Sequence, residues 1–462
     1  MRVQLFGVGV EGVSPAITAQ RRVNCYVAPQ QDSDRTALAL VGCPGLTLFN
    51  SSLSGPSRGM WAVNTLSTPL LFTVHRGTLY SINNASTVST IGAIGTTAGN
   101  VSMADDGTYL VLVDGSKGYY YNMISGGALT QIVDGNFTTS PKYVTWQDTY
   151  FIVTSGSTNQ VQLSKNADPS TWPAVNINFT GSAPGALQAC LADHSVLNLF
   201  GDVYSEFWQD TGSPDFPYAV IPGSAQEFGL ASAWSLSKFD NSMAGLFKNR
   251  MGESNISRMA GFRLQKLSSL DVDYTINNYS NVANATGFAY SNGGHPMYQI
   301  SFPDVPATWE FDGASNVWCE RQDSDGSRYW AAKFAAFVNR KLVSDYRTGS
   351  IYQMDATTYT DNGEQVPMEV YSKHIWNDDK YVSIPQIQID VQAGAGLTTG
   401  QGSNPQMMLS VSKDGGRTYS EIGWSSIGKI GQYTQRVIWR RLGRARDWVL
   451  KLRITDPVKR VI

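Results

Sequence analysis

The fold is decided by a repeated unit whose clearest copy is residues 109–121, YLVLVDGSKGYYY. A run of five apolar residues precedes the Asp114-Gly115 dipeptide, and a second, aromatic run follows it. β-branched and aromatic residues favour strands, and Asp-Gly between two such runs is a strong hairpin signal. The stretch therefore predicts an antiparallel β-hairpin.

The same strand–turn–strand unit recurs along the chain. Further copies are residues 70–74 with 78–82, 150–153 with 161–163, 196–200 with 204–208, and 337–338 with 350–352. Second-strand anchors lie 40 to 55 residues apart, at Tyr80, Tyr120, Val161, Phe207, Phe262, Trp309 and Tyr352. A strand repeat near 40–50 residues is typical of a β-propeller, which is built of four-stranded blades. We predict a mainly β protein with six or seven blades; an irregular array of β-sandwiches is the alternative.

The two ends of the chain differ from this central region in their sequence pattern. Residues 1–60 carry repeated prolines, which disfavour helix, and predict an extended N-terminal arm. Residues 61–360 would form the propeller. Residues 361–462 predict a C-terminal antiparallel β domain resembling a sandwich, because Trp448, Leu450, Leu452 and Ile454 share one face of a strand.

Composition excludes several classes of protein. Of the 462 residues, 42% are hydrophobic and only 16% charged, which excludes a disordered chain, and a formal net charge of -2 excludes a globally basic nucleic-acid binder. No apolar run is long enough to cross a bilayer. The four cysteines are widely spaced, so we expect reduced thiols and a protein assembled in the cytoplasm.

Positive charge is concentrated at the C-terminal end. Residues 436–462 contain nine basic and two acidic residues, a formal charge of +7, which leaves -9 on the rest of the chain. The candidate contact residues for DNA or a partner are Arg436, Arg440, Arg441, Arg444, Arg446, Lys451 and Arg453. Three interpretations stay open: a solvated outer face, a strip facing the DNA backbone, or a patch that docks an acidic partner.

One motif is structural. Residues 412–419, SKDGGRTY, resemble an Asp-box, the turn motif of sialidases and other propellers. Its members here are Ser412, Asp414, Gly416, Thr418 and Tyr419. The Asp accepts backbone N–H bonds across a tight turn and performs no chemistry. Because the motif is known from sialidases, a glycan-active or glycan-binding propeller, either sialidase-like or receptor-binding, is the alternative function.

Other chemistry finds no support in the sequence. Residues 7–12, GVGVEG, match a dinucleotide fingerprint, but Ser14-Pro15 follows at once and no helix is predicted after them. The four histidines are scattered, and the acidic turns lack the spacing of a calcium loop. We predict no catalytic, cofactor-binding or metal-binding residues, and no enzyme.

Three ordered groups of motifs carry a resemblance to one family. They are NCYV at 24–27 with LVGCPGL at 40–46; FWQDTG at 207–212 with FPY at 216–218, IPG at 221–223 and Gly229; and RRLGRARD at 440–447 with ITDP at 454–457. Together they resemble the packaged-DNA stabilisation proteins, or tail hub (nozzle) proteins, of short-tailed bacteriophages. The resemblance spans nearly the whole chain.

The resemblance implies a structural role in the virion tail. It implies a homo-hexameric ring below the portal and adaptor proteins that closes the head, retains the packaged DNA and conducts it at ejection. It also implies contacts with a tailspike or tail fibre, with a tail needle where a phage has one, and with double-stranded DNA without sequence specificity. No catalytic residue is carried over from this family.

Overall fold

The computed structural model describes residues 9–29, 38–182 and 185–462. Residues 1–8 and 30–37 of the predicted arm, including Gly7 and Val8 of the glycine motif, lie outside these ranges. Its described part forms four strands, β1 (Arg22–Val23), β2 (Cys25–Pro29), β3 (Leu38–Gly42) and β4 (Gly45–Asn50). β2 and β3 form a hairpin.

The centre of the chain is a succession of antiparallel sheets, each a blade. Blade one contains β5 (Ser57–Val63), β6 (Leu70–His75), β7 (Thr78–Asn83) and β8 (Val88–Ala93). Blade two contains β9 (Ser102–Asp105), β10 (Tyr109–Val113), β11 (Gly118–Asn122) and β12 (Thr130–Gln131). Blade three contains β13 (Pro141–Gln147), β14 (Tyr150–Ser155), β15 (Gln160–Leu163) and β16 (Ile177–Phe179), the last after a 3-10 turn, Ala174–Asn176. Blade four contains β17 (Ala189–Asp193), β18 (Val196–Phe200), β19 (Ser205–Asp210) and β20 (Tyr218–Val220).

Three more blades follow. Blade five contains β21 (Phe228–Leu230), β22 (Ser237–Phe239), β23 (Ser242–Asn249), β24 (Ser254–Ala260) and β25 (Arg263–Lys266), with a 3-10 turn at Ala233–Ser235. Helix α1 (Leu270–Asn277), capped by Ser269, leads to blade six: β26 (Thr286–Asn292), β27 (His295–Phe302), β28 (Ala307–Asp312) and β29 (Val317–Glu320). Blade seven contains β30 (Ala331–Phe337), β31 (Arg340–Asp345) and β32 (Ile351–Asp355).

The ring closes through the N-terminal segment. β4 supplies the fourth strand of blade seven, pairing antiparallel with β32. The innermost strand β30 lies against β5 of blade one, and the strands β5, β9, β13 and β17, and then β22, β26 and β30, follow in order around the ring. Blades four and five meet through a shared apolar cluster. Apolar side chains fill the space between neighbouring blades, as Phe72 and Leu110 do between blades one and two. In the described ranges this gives seven blades, and the predicted propeller is confirmed.

The C-terminal residues form a sandwich beside the ring. After β33 (Thr360–Asp361) and β34 (Glu364–Gln365), its strands are β35 (Met368–Tyr371), β36 (Ile375–Trp376), β37 (Val382–Ile389), β38 (Gln406–Ser412), β39 (Ser420–Ser426), β40 (Val437–Ala445) and β41 (Asp447–Ile454). One sheet has the order β35-β41-β38-β39 and the other pairs β37 with β40. Trp448, Leu450, Leu452 and Ile454 are buried between the sheets. No helix in the described ranges is long and apolar enough to span a bilayer.

A two-residue strand joins the propeller to the sandwich. β1 pairs parallel with β29 of blade six and antiparallel with β35 of the sandwich, so a single sheet continues from one to the other. The next residue, Asn24, is fully buried and has a φ of 54°. Its side-chain amide donates to the carbonyls of Gln322 and Pro367, and its Oδ1 accepts from the Gln322 N–H.

Several details differ from the sequence predictions. The described part of residues 1–60 is extended but is not a separate arm. It contributes β4 to blade seven and the start of β5 to blade one. Residues 337–338 and 350–352 do not pair with each other, because β31 lies between them. Within the sandwich, β37 carries an irregularity at Pro385, where Pro has no N–H to donate.

We expect Asn24→Ala to lower the free energy of unfolding by about 3 kcal/mol or more, because buried carbonyl and N–H groups lose their partners. The measurement is urea-induced unfolding followed by tryptophan fluorescence. Asn316→Ala is the matched control, since Asn316 also has a positive φ, 56°, but is exposed. It should cost only about 1 kcal/mol, the penalty for alanine in this conformation. Equal losses in the two variants would contradict the role assigned to the Asn24 side chain.

Candidate basic interface on the sandwich

An arginine-rich surface lies on the two-stranded sheet of the sandwich. β40 alternates between buried residues, such as Val437 and Trp439, and exposed ones, such as Arg440. A β-bulge opposite Pro385 and a φ of 62° at Arg441 interrupt this alternation. We call the exposed set the basic face. Its members are Arg436, Arg440, Arg441, Arg444 and Arg446.

Neutral side chains orient four of these arginines. Gln388 Oε1 accepts a hydrogen bond from Arg436 Nη2 at 2.6 Å, and Gln386 Oε1 accepts one from Arg440 Nε at 3.4 Å. The guanidinium groups of Arg444 and Arg446 lie 5.2 and 5.1 Å from the ring centre of Tyr381. None of the five forms an ion pair with a carboxylate in the described part of the chain. Their charge is therefore available to an external anion.

The structure places the other two predicted contact residues elsewhere. Lys451 and Arg453 lie on β41, in the opposite sheet, and both pair with Glu369 of β35, at 3.0 and 3.4 Å. Their alternation with buried Leu450 and Leu452 directs them away from the sandwich core. They are part of the cross-strand pairing between β35 and β41 and do not extend the basic face.

Arg460, which contributes to the charge of the C-terminal end, is buried. It is 2% exposed and donates from Nη1 to the carbonyl of Val366. Burial lowers the pKa of this guanidinium. A charge sum over residues 436–462 thus combines surface arginines with a structural one.

The Asp-box residues form the turn between β38 and β39. Asp414 Oδ1 accepts from the N–H groups of Arg417 and Thr418, at 3.1 and 3.0 Å, and Oδ2 accepts from the Thr418 hydroxyl at 2.6 Å. The hydroxyl of Ser412, fully buried, also donates to Asp414. These bonds hold the pKa of Asp414 well below its usual value of 3.8. Tyr419 packs edge-on against Tyr371.

A histidine clamp that the sequence does not reveal lies beside this turn. Nδ1 of His374 is 2.8 Å from the carboxylate of Asp447, and Nε2 is 2.8 Å from the carbonyl of Pro15. Gly416 has a φ of 89°, and a Cβ added there would lie 2.6 Å from the Cβ of Ala19. The N-terminal segment is therefore fastened to the sandwich. His374 and Asp447 are too far apart in sequence for any local motif to connect them.

Two cysteines and a glutamate that are distant in sequence meet at the junction of propeller and sandwich. Cys43, Cys319 and Glu310 are buried, with potential ligand atoms within 4.8 Å of one another. The hydrogen bond with Cys43 and burial raise the pKa of Cys319, which favours the thiol over the thiolate that binds metals. Glu310 also accepts from the Tyr290 hydroxyl at 2.8 Å and lies 3.5 Å from Arg321 Nη1. That guanidinium already supplies the positive charge that a cation would bring.

Two cavities bear on the glycan-active alternative. One, of about 390 Å³, contains Glu11 and Glu320, but Arg21 holds Glu320 in a bidentate ion pair at 2.6 and 2.7 Å. The other, of about 480 Å³, contains Arg328 and Tyr346 and has no carboxylate in its lining. Glycoside hydrolysis needs a pair of acidic groups or a tyrosine nucleophile with an acid. The larger cavity does not provide one, so its composition favours binding over cleavage.

We expect Asp414→Ala to lower the free energy of unfolding at pH 7 by about 1 kcal/mol, as for the loss of a capping side chain. Because the folded-state pKa of Asp414 is depressed, its contribution is present above the unfolded value near 3.8 and is lost as the pH falls below it. Melting temperatures of wild type and variant should therefore converge below pH 4. Asp215→Asn, at an exposed position, is the control. A difference that stays constant from pH 7 to pH 3 would contradict this assignment.

Comparison with known proteins identifies the family. Two family models described as Bacteriophage P22 Gp10 match the chain, the beta-propeller at residues 12–359 and the beta-sandwich at residues 367–462. No curated protein matches. Among solved structures, the chain is similar to the WD40 β-propeller domain of Doa1 (11% identity, TM-score 0.42, 68% of this chain and 98% of that one). It is also similar to the designed Ika8 protein (7%, 0.42, 67% and 99%) and to YCF48 from Cyanidioschyzon merolae (11%, 0.43, 67% and 98%). Because the two family matches cover most of its length, the chain belongs to the bacteriophage P22 Gp10 family, the tail hub or nozzle proteins of a short-tailed phage.

Proposed function

We propose that the protein is a non-enzymatic subunit of a homo-hexameric tail hub below the portal–adaptor complex. The hub closes the head, retains the packaged DNA and conducts it at ejection. The observation that carries the proposal is the match of the P22 Gp10 family to both domains in order, at residues 12–359 and 367–462. Assembly takes place in the host cytoplasm and the mature protein resides in the virion tail.

The architecture is suited to a rigid subunit in the wall of such a ring. β1 continues the sheet of blade six into the sandwich, so backbone hydrogen bonds couple the two domains. β4 closes the propeller ring itself. The coupling resists bending because strands in one sheet move together. A subunit of this kind transmits load from the neighbours above it to those below.

The sandwich surface supports contacts with other subunits or partners. Exposed aromatic side chains there include Trp376, Tyr381, Trp424 and Tyr433, which are 53% to 76% exposed. Aromatic residues and arginine are enriched in the buried cores of protein interfaces. We propose that this surface contacts neighbouring hub subunits, the portal–adaptor proteins, or the tailspike or tail fibre. A tail needle would be a further partner in a phage that has one.

The basic face is suited to the phosphate backbone of double-stranded DNA. Its five arginines are exposed and have no acidic partner among the described residues. Contacts to phosphate carry no sequence information and weaken as salt rises, with a slope of roughly 0.9 per phosphate neutralised. Binding would therefore be independent of sequence, as a conduit for a whole genome requires.

We expect electron microscopy of the protein mixed with its portal–adaptor complex to show a six-fold ring below the adaptor. The same preparation without the adaptor is the control, because it separates self-assembly from docking. A complex that binds at another site, or with another symmetry, would overturn the hub proposal.

We expect the double variant Arg440→Glu and Arg444→Glu to weaken binding to double-stranded DNA at least tenfold at low salt and to reduce the salt slope by roughly 2. The matched control is Arg250→Glu with Arg263→Glu, two exposed arginines of blade five. Virions assembled with the variant should lose DNA. If instead they fail to assemble, the face docks a protein partner. If the virions assemble normally and retain their DNA, the basic face is only a solvated surface.

A further inference from the structure

A second concentration of unpaired positive charge lies on the propeller, remote from the basic face in sequence. A cavity of about 480 Å³ opens between blades one, six and seven, at the face where the chain enters the innermost strands. Pro56 and Ser57 line it from blade one, Thr286 from blade six, and Lys333 and Tyr346 from blade seven. Arg328 projects into it from the segment that connects blades six and seven.

Arg328 is buried without an anionic partner. It is 7% exposed, and its guanidinium lies 3.8 Å from the ring centre of Tyr346. Nε has no hydrogen-bond partner, and no side chain of the described residues forms an ion pair with this arginine. The contact with the ring orients the guanidinium, whose Nε–H is left without an acceptor.

Lys333 places a second cation in the same cavity. It lies on β30, and its Nζ is 5.6 Å from the ring centre of Trp234. Burial, together with the charge of Arg328, lowers the pKa of Lys333 to about 8. The two groups therefore repel each other, and neither is compensated by a carboxylate in the cavity lining. Arg328 is buried and Lys333 half-buried, and buried charges are costly unless they are paired.

Two acids next in sequence to lining residues, Asp304 and Asp345, already accept hydrogen bonds from other groups. Asp304, next to Pro303 at the cavity rim, accepts hydrogen bonds from the amides of Asn281 and Asn284, at 2.5 and 3.0 Å. Asp345 accepts from Arg347 and from the hydroxyl of Thr348. Neither forms an ion pair with Arg328 or Lys333. Asp345 acts on Arg328 only at longer range, so no carboxylate of the described chain pairs directly with either cation of the cavity.

We propose that this cavity binds a small polar molecule that carries an oxyanion, a phosphate or a carboxylate, between Arg328 and Lys333. A planar guanidinium matches two oxygens of such a group, and the ammonium adds a point charge. Asn100 and Thr286, which also line the cavity, supply polar contacts for the rest of the molecule. The volume lies within the range of small-molecule sites, roughly 300–1,000 Å³, and exceeds what a bare ion needs. This site is independent of the proposed hub function.

The test is calorimetric titration of the full-length protein with three probes at constant ionic strength set by sodium chloride. The probes are inorganic phosphate, glucose 6-phosphate and glucuronate, which separate a phosphate from a carboxylate as the preferred group. We expect saturable binding of at least one probe and a rise in melting temperature with it. Arg328→Gln and Lys333→Met should each weaken that binding at least tenfold, while Arg263→Gln on the exposed surface of blade five should leave it unchanged.

Two further measurements distinguish loss of the site from loss of the fold. Circular dichroism of each variant establishes that the β structure is retained, and Arg328→Lys, which keeps the charge but loses the planar fork, should bind between wild type and Arg328→Gln. Absence of saturable binding of all three probes to the wild type would overturn the proposal. Binding that persists unchanged in both folded variants, Arg328→Gln and Lys333→Met, would overturn it as well.

Discussion

The arrangement of the two domains depends on the insertion of Arg22–Val23 between blade six and the sandwich. A two-residue strand contributes little hydrogen bonding by itself, so the residues around it have to fix its position. Asn24 does this because its positive φ turns the chain out of the sheet and its side chain binds groups from both domains, Gln322 and Pro367. Arg22 adds a bond to the carbonyl of Trp318. The junction is thus held by directional polar contacts, which tolerate little displacement.

Local pairing in this fold could be predicted from sequence, and pairing across the ring could not. Hairpins such as β10–β11 are encoded by adjacent apolar runs and a turn between them. The strand that completes blade seven, β4, comes from about 300 residues earlier, and nothing in its own residues specifies β32 as its partner. Gly45 shows the constraint only in three dimensions, because a Cβ there would lie 2.4 Å from the carbonyl oxygen of Thr360. A close approach of this kind requires a glycine, but the glycine alone does not tell which residue lies beside it.

For the candidate site, the position of the positive charge could be predicted from the sequence, but its pairing could not. A charge count locates the basic end, but it cannot tell which sheet of a sandwich a residue joins or whether an acid faces it. Lys451 and Arg453 share the composition of the basic face and are nevertheless paired with Glu369, which lies 82 residues before Lys451. His374 and the cavity around Arg328 leave no local signal, because each depends on side chains from several distant segments. Sequence thus indicates where charge is, and the fold determines whether it is free.

The choice of glutamine beside the basic face has a physical consequence. Gln386 lies opposite Arg440 on β40, and Gln388 bonds Arg436 just before that strand; glutamate at either position would form an ion pair with the arginine. Such pairs at an exposed surface contribute up to about 1 kcal/mol each, but they would cancel the charge of the arginines. A glutamine orients the guanidinium through one hydrogen bond and leaves its charge intact. Low net charge is therefore compatible with an anionic partner. Acids such as Glu310, Glu320 and Glu369 neutralise structural cations inside the fold, whereas four arginines of the basic face are held by neutral groups.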